Sequence, residues 1–489
     1  MYNVSRMKET TAKPRKTAAI DLTVGKPLRR ILMFMAPLIV GNVFQQLYSM
    51  VDTVIVGRTL GSAALAGVGS TGALSFMIMG FVSGLTQGFS VVTSRYRGAR
   101  DEEGVRRSFA TGILLTVVIV GALTVVAVFA AKPILVAMNT KPEFFEYAEQ
   151  YITTIFAGML LSAFYNEFSS TLRALGDSRV PLYILIFASI VNACLDCLFI
   201  LVFKTGVRGA AAATLVSQGL SAVLTFVYMW VKYPEMRIGF KHFKPGSAGI
   251  ADALKLGVPM ALQFSVISIG MVFCQVALNT MDEQAVTAYV AASKIDNLAI
   301  AVLSSVGSAS ATFVGQNYGA KRFDRIKLGI KQLSVFALVL SVVLGAFVIA
   351  MYKPFTMLFI DKSEQTDALF AYALKYLIFN SGFYVLLTTL WISRSALQGM
   401  NRGVIPLFAA ALEVAMRAGV ALIAMHLNSY TVVCACNAFA WLGANIILVP
   451  SFLAALKKYV PLIKPKIKNV RLPNPSQAPA SVRKRKNRG

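Results

Sequence analysis

Apolar runs of roughly 20 residues alternate along this chain with short charged and polar clusters, and that spacing sets the expected architecture. A helix rises about 1.5 Å per residue, so each run is long enough to cross a hydrocarbon core of about 30 Å. The runs predict about twelve spanning helices by that length rule, approximately at 31–57, 63–94, 108–130, 148–172, 180–203, 208–231, 250–280, 285–315, 329–351, 370–398, 404–426 and 429–456. The expected fold class is therefore an all-α membrane protein. Residues 1–30 form a basic arm without the apolar core and small-residue cleavage site of a removable signal peptide, so the first helix is expected to act as the targeting signal. Residues 457–489 form a basic tail whose Pro, Ser and Ala content from Leu472 onward predicts disorder.

Composition supports the membrane setting: 56% of the 489 residues are hydrophobic and only 14% are charged. Lys and Arg collect in alternate loops, as short cytoplasmic loops do. The basic side comprises the N-terminal arm, the segment with Arg95, Arg97, Arg100, Arg106 and Arg107, the turn with Arg173 and Arg179, and the stretch from Lys232 to Lys244. It continues through Lys321, Arg322, Arg325 and Lys327, then Arg394 and Arg402, then the tail. Both termini are accordingly expected in the cytoplasm of a prokaryotic cell. The same topology accounts for the formal charge of +26, since basic residues beside helix ends gain about 1 kcal/mol each from an anionic leaflet. Nucleic acid is not an expected partner.

The five cysteines, Cys194, Cys197, Cys274, Cys434 and Cys436, fall in the apolar runs and read as small packing residues rather than a disulfide framework. With His242 and His426 as the only histidines, no zinc or iron ligand set is visible. No Gly-rich loop ends in Lys-Ser or Lys-Thr, so nucleotide-driven transport has no support. Nor does a nucleophile–base pair point to an enzyme. No cofactor is expected beyond a coupling ion.

An internal repeat appears when Pro37 is aligned with Pro259. Ala63 and Ala66 then fall on Ala285 and Ala288, and Arg97-Gly98-Ala99-Arg100 matches Tyr318-Gly319-Ala320-Lys321. Later, Ala174-Leu175-Gly176-Asp177-Ser178-Arg179-Val180-Pro181-Leu182 resembles the segment from Leu397 to Leu407. Two six-helix halves in the same orientation follow, at 31–231 and 250–456, joined by a cytoplasmic linker at 232–249; parallel repeats are a common transporter plan.

Two acids stand inside apolar runs, Asp52 and Asp196. Each costs at least about 2.5–3.5 kcal/mol to insert, so such groups are kept mainly where they bind ions, carry protons or meet charged substrate. Asn192 and Asp196 are four residues apart and share a helix face. Two carboxylates and an amide oxygen converging in an apolar setting suit reversible protonation, or replacement of a proton by sodium. The second half has lost this set: Asp52 falls on Cys274, and an insertion before Pro406 places Asn192 on Arg417 and Asp196 on Ala421.

At these residues the chain resembles the multidrug and toxic compound extrusion (MATE) family, over roughly residues 28 to 456. The resemblance rests on Met50 to Arg58 followed by Ala64-Leu65-Ala66-Gly67-Val68, on Arg173 to Asp177 with Pro181, and on Asn192 with Leu195-Asp196. Gly206 to Ala211 and Gln316-Asn317-Tyr318-Gly319-Ala320 add to it. It implies a V-shaped pair of six-helix lobes that export cationic or amphipathic compounds against inward sodium or protons. Its coupling site carries over onto Asp52, Asn192, Asp196 and Thr214, where sodium is a candidate ligand; taken alone, Thr214 reads as a helix-packing residue. The implied partners are organic cations and membrane lipids, and a monomer is expected.

The seventh run lacks the acid found in another branch of the family. The second half offers instead Lys294 and Asp296, and Glu413 with Arg417, four apart and expected to form an intrahelical ion pair. Phe44, Tyr48, Phe156, Tyr165 and Phe273 are candidate pocket liners, since aromatic faces suit cations; taken singly, each reads first as a packing or lipid-facing residue. The alternative function is a lipid or lipid-linked oligosaccharide flippase of the same superfamily, whose cavity would carry basic residues for a pyrophosphate.

Overall fold

The chain was analysed as a computed structural model that describes residues 19–138, 140–243, 246–360 and 365–463. The first 18 residues of the basic arm and the tail beyond 463 lie outside the described residues. Those described form helices without strands. The first half holds α1 (Pro27–Ser70), α2 (Gly72–Gly98), α3 (Glu102–Ala137), α4 (Pro142–Ala157), α5 (Met159–Leu175), α6 (Arg179–Asp196) and α7 (Gly206–Lys232). The second half holds α8 (Ser247–Leu278), α9 (Glu283–Gly319), α10 (Phe323–Ala350), the short α11 (Tyr352–Met357), α12 (Asp367–Gly382), α13 (Tyr384–Gly399), α14 (Val404–Leu427) and α15 (Tyr430–Ile463).

Among the described residues, ten helices are long and apolar enough to cross a membrane, or eleven when α12 and α13 count as one bent span. The expected span at 148–172 is the exception. It divides into α4 and α5 at Gly158, where an added Cβ would collide with Leu215 on α7. Its second piece carries Asn166, Glu167, Ser169, Ser170 and Arg173, which dilute its hydropathy. The α12–α13 pair occupies the corresponding place in the second half, bent by 41° at Phe383. α1 runs continuously to a kink at Gly61, whose φ of 84° only glycine adopts readily, and this kink separates the first two expected spans. Pro37 lies inside α1 rather than at its start, whereas Pro181 is the third residue of α6.

Backbone geometry repeats between the halves. Arg100 after α2 and Lys321 after α9 both take left-handed conformations, with φ of 57° and 55°. Lys204 before α7 and Asn428 before α15 do the same, at 53° and 45°. Such conformations are uncommon for residues other than glycine, so their recurrence at matched turns is a strong sign of a duplicated unit.

The two halves meet along α2 and α8, and at the ends of α2 and α9. In a membrane, close packing of small residues holds helices together where the hydrophobic effect cannot. A Cβ on Gly98 would fall inside the Gln316 carbonyl, and one on Gly319 inside that of Arg95, so these matched glycines set the crossing at the basic end of the molecule.

A strap of residues 19–25 stitches the same end. The Ile20 N–H donates to the Gly176 carbonyl at 2.8 Å. Gln316 accepts from the Leu22 N–H at 3.2 Å and donates to the Ala174 carbonyl at 2.8 Å. Arg325 donates to the carbonyls of Gly25, Leu22 and Val24 at 2.7, 3.1 and 3.3 Å and to Asn317 Oδ1 at 3.1 Å. The Arg173–Asp177 motif thus has a local physical cause. Gly176 ends α5 at a φ of 98° and receives the strap, while Asp177 caps α6 through the N–H groups of Arg179 and Val180 at 3.2 Å each. Asp177 also accepts from the Tyr233 hydroxyl at 2.8 Å. Burial, with that carboxylate alongside, pushes the Tyr233 phenol well above its ordinary value.

Gly98→Val is expected to force the two halves apart at this end and to destabilise the protein by about 1–3 kcal/mol, the usual cost of overpacking. Spin labels at the exposed Arg100 and Lys321 positions should report a longer, broader distance in the variant. An unchanged distribution would mean that the crossing does not hold the halves together.

Candidate functional site

Asp52 lies on α1, one turn beyond Tyr48, and Asn192 and Asp196 lie on the last turns of α6. α6 does not end after Asp196 but passes into a π-helical turn, Cys197–Val202. Wide turns of this kind recur at functional sites because they displace side chains from the regular helical path. Asn192 and Asp196 are both buried. The carboxyl groups of Asp52 and Asp196 are near neighbours. Tyr48 stands beside both acids, with Tyr151 next to it and the Thr214 hydroxyl within hydrogen-bond reach. Thr214 itself donates to the Ala210 carbonyl at 3.1 Å.

The structure therefore brings Asp52, Asn192, Asp196 and Thr214 together, with Tyr48 as a member of this cluster. Several of its polar atoms lack partners: Asp52 Oδ1, both Asp196 oxygens, and Asn192 Oδ1 and Nδ2 are buried without a hydrogen-bond partner among the described residues. No salt bridge to either acid occurs among the described residues. Buried polar atoms are ordinarily paired, so a nest of orphaned oxygens fits a hard cation or a proton as the missing partner.

A second feature is a cavity of about 520 Å³ between the halves. α1 supplies Asn42, Gln45 and Gln46, α5 supplies Tyr165, Asn166 and Arg173, and α2 supplies Gln87 and Ser90. From the second half come Gln263 and Phe264 on α8, Asn297 and Ser304 on α9, and Trp391, Arg394 and Gln398 on α13. The lining is rich in amides and hydroxyls, includes two arginines, and holds no Asp or Glu among the described residues. The acid cluster is not part of the lining; α1 and α6, which also supplies Pro181, Leu182 and Leu185 to the cavity, run between the two places.

Of the five aromatic residues expected to line a pocket, Tyr165 does so. Phe156 is fully buried in the packing of the first half, Phe273 is 37% exposed on α8, and Tyr48 belongs to the acid cluster. Phe44 is half-buried on α1 and does not border the cavity. Hydropathy gives no means of separating a lipid-facing aromatic from one that faces a cavity.

The charged residues of the second half separate in the same way. Lys294 is exposed. Asp296 is buried and accepts from the hydroxyls of Tyr376 at 2.9 Å and Tyr384 at 2.6 Å, so both its oxygens are occupied. Glu413 pairs with Arg417 at 3.3 Å and, more closely, with Arg394 at 2.7 Å. Arg394, expected among the cytoplasmic loop cations, is instead only 2% exposed inside α13. Its distance in sequence from Glu413 hides the pairing. Tyr151 and Glu167 are absent from the sequence expectations; Glu167 is fully buried against Gly112, with both oxygens unpartnered among the described residues. For Glu167 the signal was present, an acid in a predicted span, but the polar residues around it resembled a loop.

Comparison with known proteins bears on the whole arrangement. The MatE family model matches residues 37–198 and 259–423, one stretch in each half. The chain is similar to the probable multidrug resistance protein YpnP of Bacillus subtilis, at 30% identity over 309 residues, 63% of this chain and 69% of that relative. A crystal structure of MATE in complex with MaL6 superposes with a TM-score of 0.83 at 25% identity, covering 90% of this chain and 100% of the other. A MOP superfamily transporter from Pyrococcus furiosus, described as having a binding pocket of reverse polarity, superposes at 0.82 with 24% identity, over 92% and 100% of the two chains. With both halves matched by the family model and the duplicated helical fold shared with solved members, this multi-pass membrane chain belongs to the MATE family.

Proposed function

We propose that the chain is a secondary active antiporter that exports amphipathic organic compounds, organic cations among them, in exchange for inward sodium or protons. The observation that carries this reading is the uncompensated Asp52–Asp196 pair within the membrane-spanning part of the first half. A structural ion pair would have a cation beside it; an exchange site needs the place left open. Family membership and the multidrug resistance naming of YpnP support the export direction.

In this reading Asp52, Asn192, Asp196 and the Thr214 hydroxyl receive the coupling ion, and Tyr48 and Tyr151 border it. Neutralising two carboxyl groups in an apolar setting removes their repulsion and lets α1 and α6 draw together. Because both helices also line the central cavity, the two sites are coupled through shared helices rather than a shared charge, and the coupling free energy must be reciprocal. The positions of Arg95, Arg97, Lys321 and Arg322 support a cytoplasmic basic end, with both termini on that side. The two halves, 31–231 and 250–456, then act as the lobes that open alternately.

The test is ethidium efflux from liposomes containing the purified chain, with sodium and pH gradients imposed separately. Wild type should respond to at least one gradient, and Asp52→Asn and Asp196→Asn should each lower the driven rate at least ten-fold while the protein remains folded. Driven efflux that is indifferent to both substitutions would remove the coupling site from this cluster.

A second expectation concerns competition. Protons and sodium neutralise the same carboxyl pair, so for a sodium-driven protein each fall in external pH should raise the sodium concentration needed for half-maximal rate, leaving the maximal rate unchanged. A fall in maximal rate at unchanged sodium requirement would separate the proton effect from the ion site.

A further inference from the structure

The central cavity carries a charge pattern that the export reading does not explain. Its lining holds Arg173 from the first half and Arg394 from the second, and no carboxylate among the described residues. Arg173, half-buried beside Tyr165, is held by serine hydroxyls, Ser169 at 3.1 Å and Ser170 at 2.8 Å, which orient the guanidinium without neutralising it, and it makes no salt bridge among the described residues. Arg394 shares its one carboxylate, Glu413, with Arg417, so three charged groups carry a net positive charge in a buried setting. Nor are the donors exhausted. The Nε of Arg394 and the Nε and Nη1 of Arg417 are buried without partners, although Arg394 borders the cavity at 2% exposure.

A buried positive charge in excess of its partners is unfavourable unless an anion compensates it. Guanidinium groups present paired N–H donors that match the oxygens of phosphate and carboxylate. Around them stand amides such as Asn42, Gln263 and Gln398, suited to neutral polar groups, and the faces of Trp391 and Phe264, suited to a ring. A cationic ligand finds no carboxylate in the wall and would be held by the amides and ring faces alone.

We infer that this cavity binds organic anions, compounds that join a phosphate or carboxylate group to a planar or apolar body, with Arg173 and Arg394 holding the oxyanion from opposite halves. The inference adds a substrate class to the export reading and rests on that reading for transport, though not for binding. A soluble organic phosphate and a phosphate-bearing lipid offer the same headgroup chemistry.

Riboflavin and riboflavin 5′-phosphate differ only by the phosphate, so their affinity ratio isolates it. Equilibrium dialysis with the purified full chain is expected to show the phosphate ester binding at least ten-fold tighter than riboflavin. Arg173→Gln should bring the ratio close to one, and Arg173→Lys should keep most of it. The double variant Arg394→Gln with Glu413→Gln, which takes the guanidinium out of the wall and leaves Arg417 as the one charge of that cluster, should also lower the ratio, and its thermal melting beside wild type checks that it folds. A wild-type ratio near one, or a ratio that survives both Arg173→Gln and the double variant, would overturn the inference. Displacement of the bound ester by dioctanoyl phosphatidic acid supports it with a lipid phosphate as the source, and failure of displacement supports it with a soluble one. Gradient-driven ethidium efflux alongside a ratio near one would reject the anion class and leave the exporter standing; a high ratio without driven efflux of either compound would do the reverse.

Discussion

A charge inside a bilayer has to be compensated, and the way each buried acid meets that constraint organises this molecule. Asp296 is satisfied by two tyrosine hydroxyls, and Glu413 by two guanidinium groups. Asp177, at a helix start, is satisfied by backbone N–H groups and Tyr233. Glu167 on α5 has no partner among the described residues, and Asp52 and Asp196 have only each other, a neighbour that worsens the problem when both are ionised. Compensated charges can hold a structure in one state, whereas the uncompensated pair makes the energy of the structure depend on what occupies it.

Duplication makes the contrast sharper. The matched left-handed turns at Arg100 and Lys321, and at Lys204 and Asn428, show that the halves kept their backbone plan while their chemistry diverged. Where the first half has Asp52, the second has Cys274, next to the Cys436 thiol and close to Arg417. Arg417 itself stands where Asn192 does. One framework thus presents an acidic cluster in one half and a guanidinium cluster in the other, separated by an amide-rich cavity, and each cluster sits where a helix pair of the repeat converges.

The spans, the repeat and the two acids were legible in the sequence because each leaves a periodic or compositional trace: a run length, a matched motif, a carboxylate among apolar residues. The split at Gly158 was not, since it follows from Leu215 on another helix. Arg394 read as a loop cation because a charge near the end of an apolar run is indistinguishable from one beyond it until its partner Glu413 is placed beside it in space. Phe156 and Phe273 show a further loss of information. Membrane helices are apolar on packed and lipid-facing sides alike, so the alternation that marks an interior face in a soluble protein is absent. The cavity was legible only weakly, through amides such as Gln45, Gln87, Gln263 and Gln398 standing in otherwise apolar runs.

The path from the acid cluster to the meeting of the halves is short and runs along α1. Asp52 is ten residues beyond Asn42, about 15 Å along a helix at 1.5 Å per residue. Asn42 donates across the interface to Ser305 at 3.0 Å, Ser304 at 3.3 Å and the Ala301 carbonyl at 3.4 Å on α9. In its last turn α9 carries Gln316 and Asn317, which hold the strap of residues 19–25 and, through Ala174, the end of α5. Any displacement of α1 at Asp52 would therefore be felt first where Asn42 grips α9, beside the cavity, and only then at the stitched basic end. Several modest hydrogen bonds, each worth about 0.5–1.5 kcal/mol, close that end. Their sum sets the energy that any opening of that end has to supply.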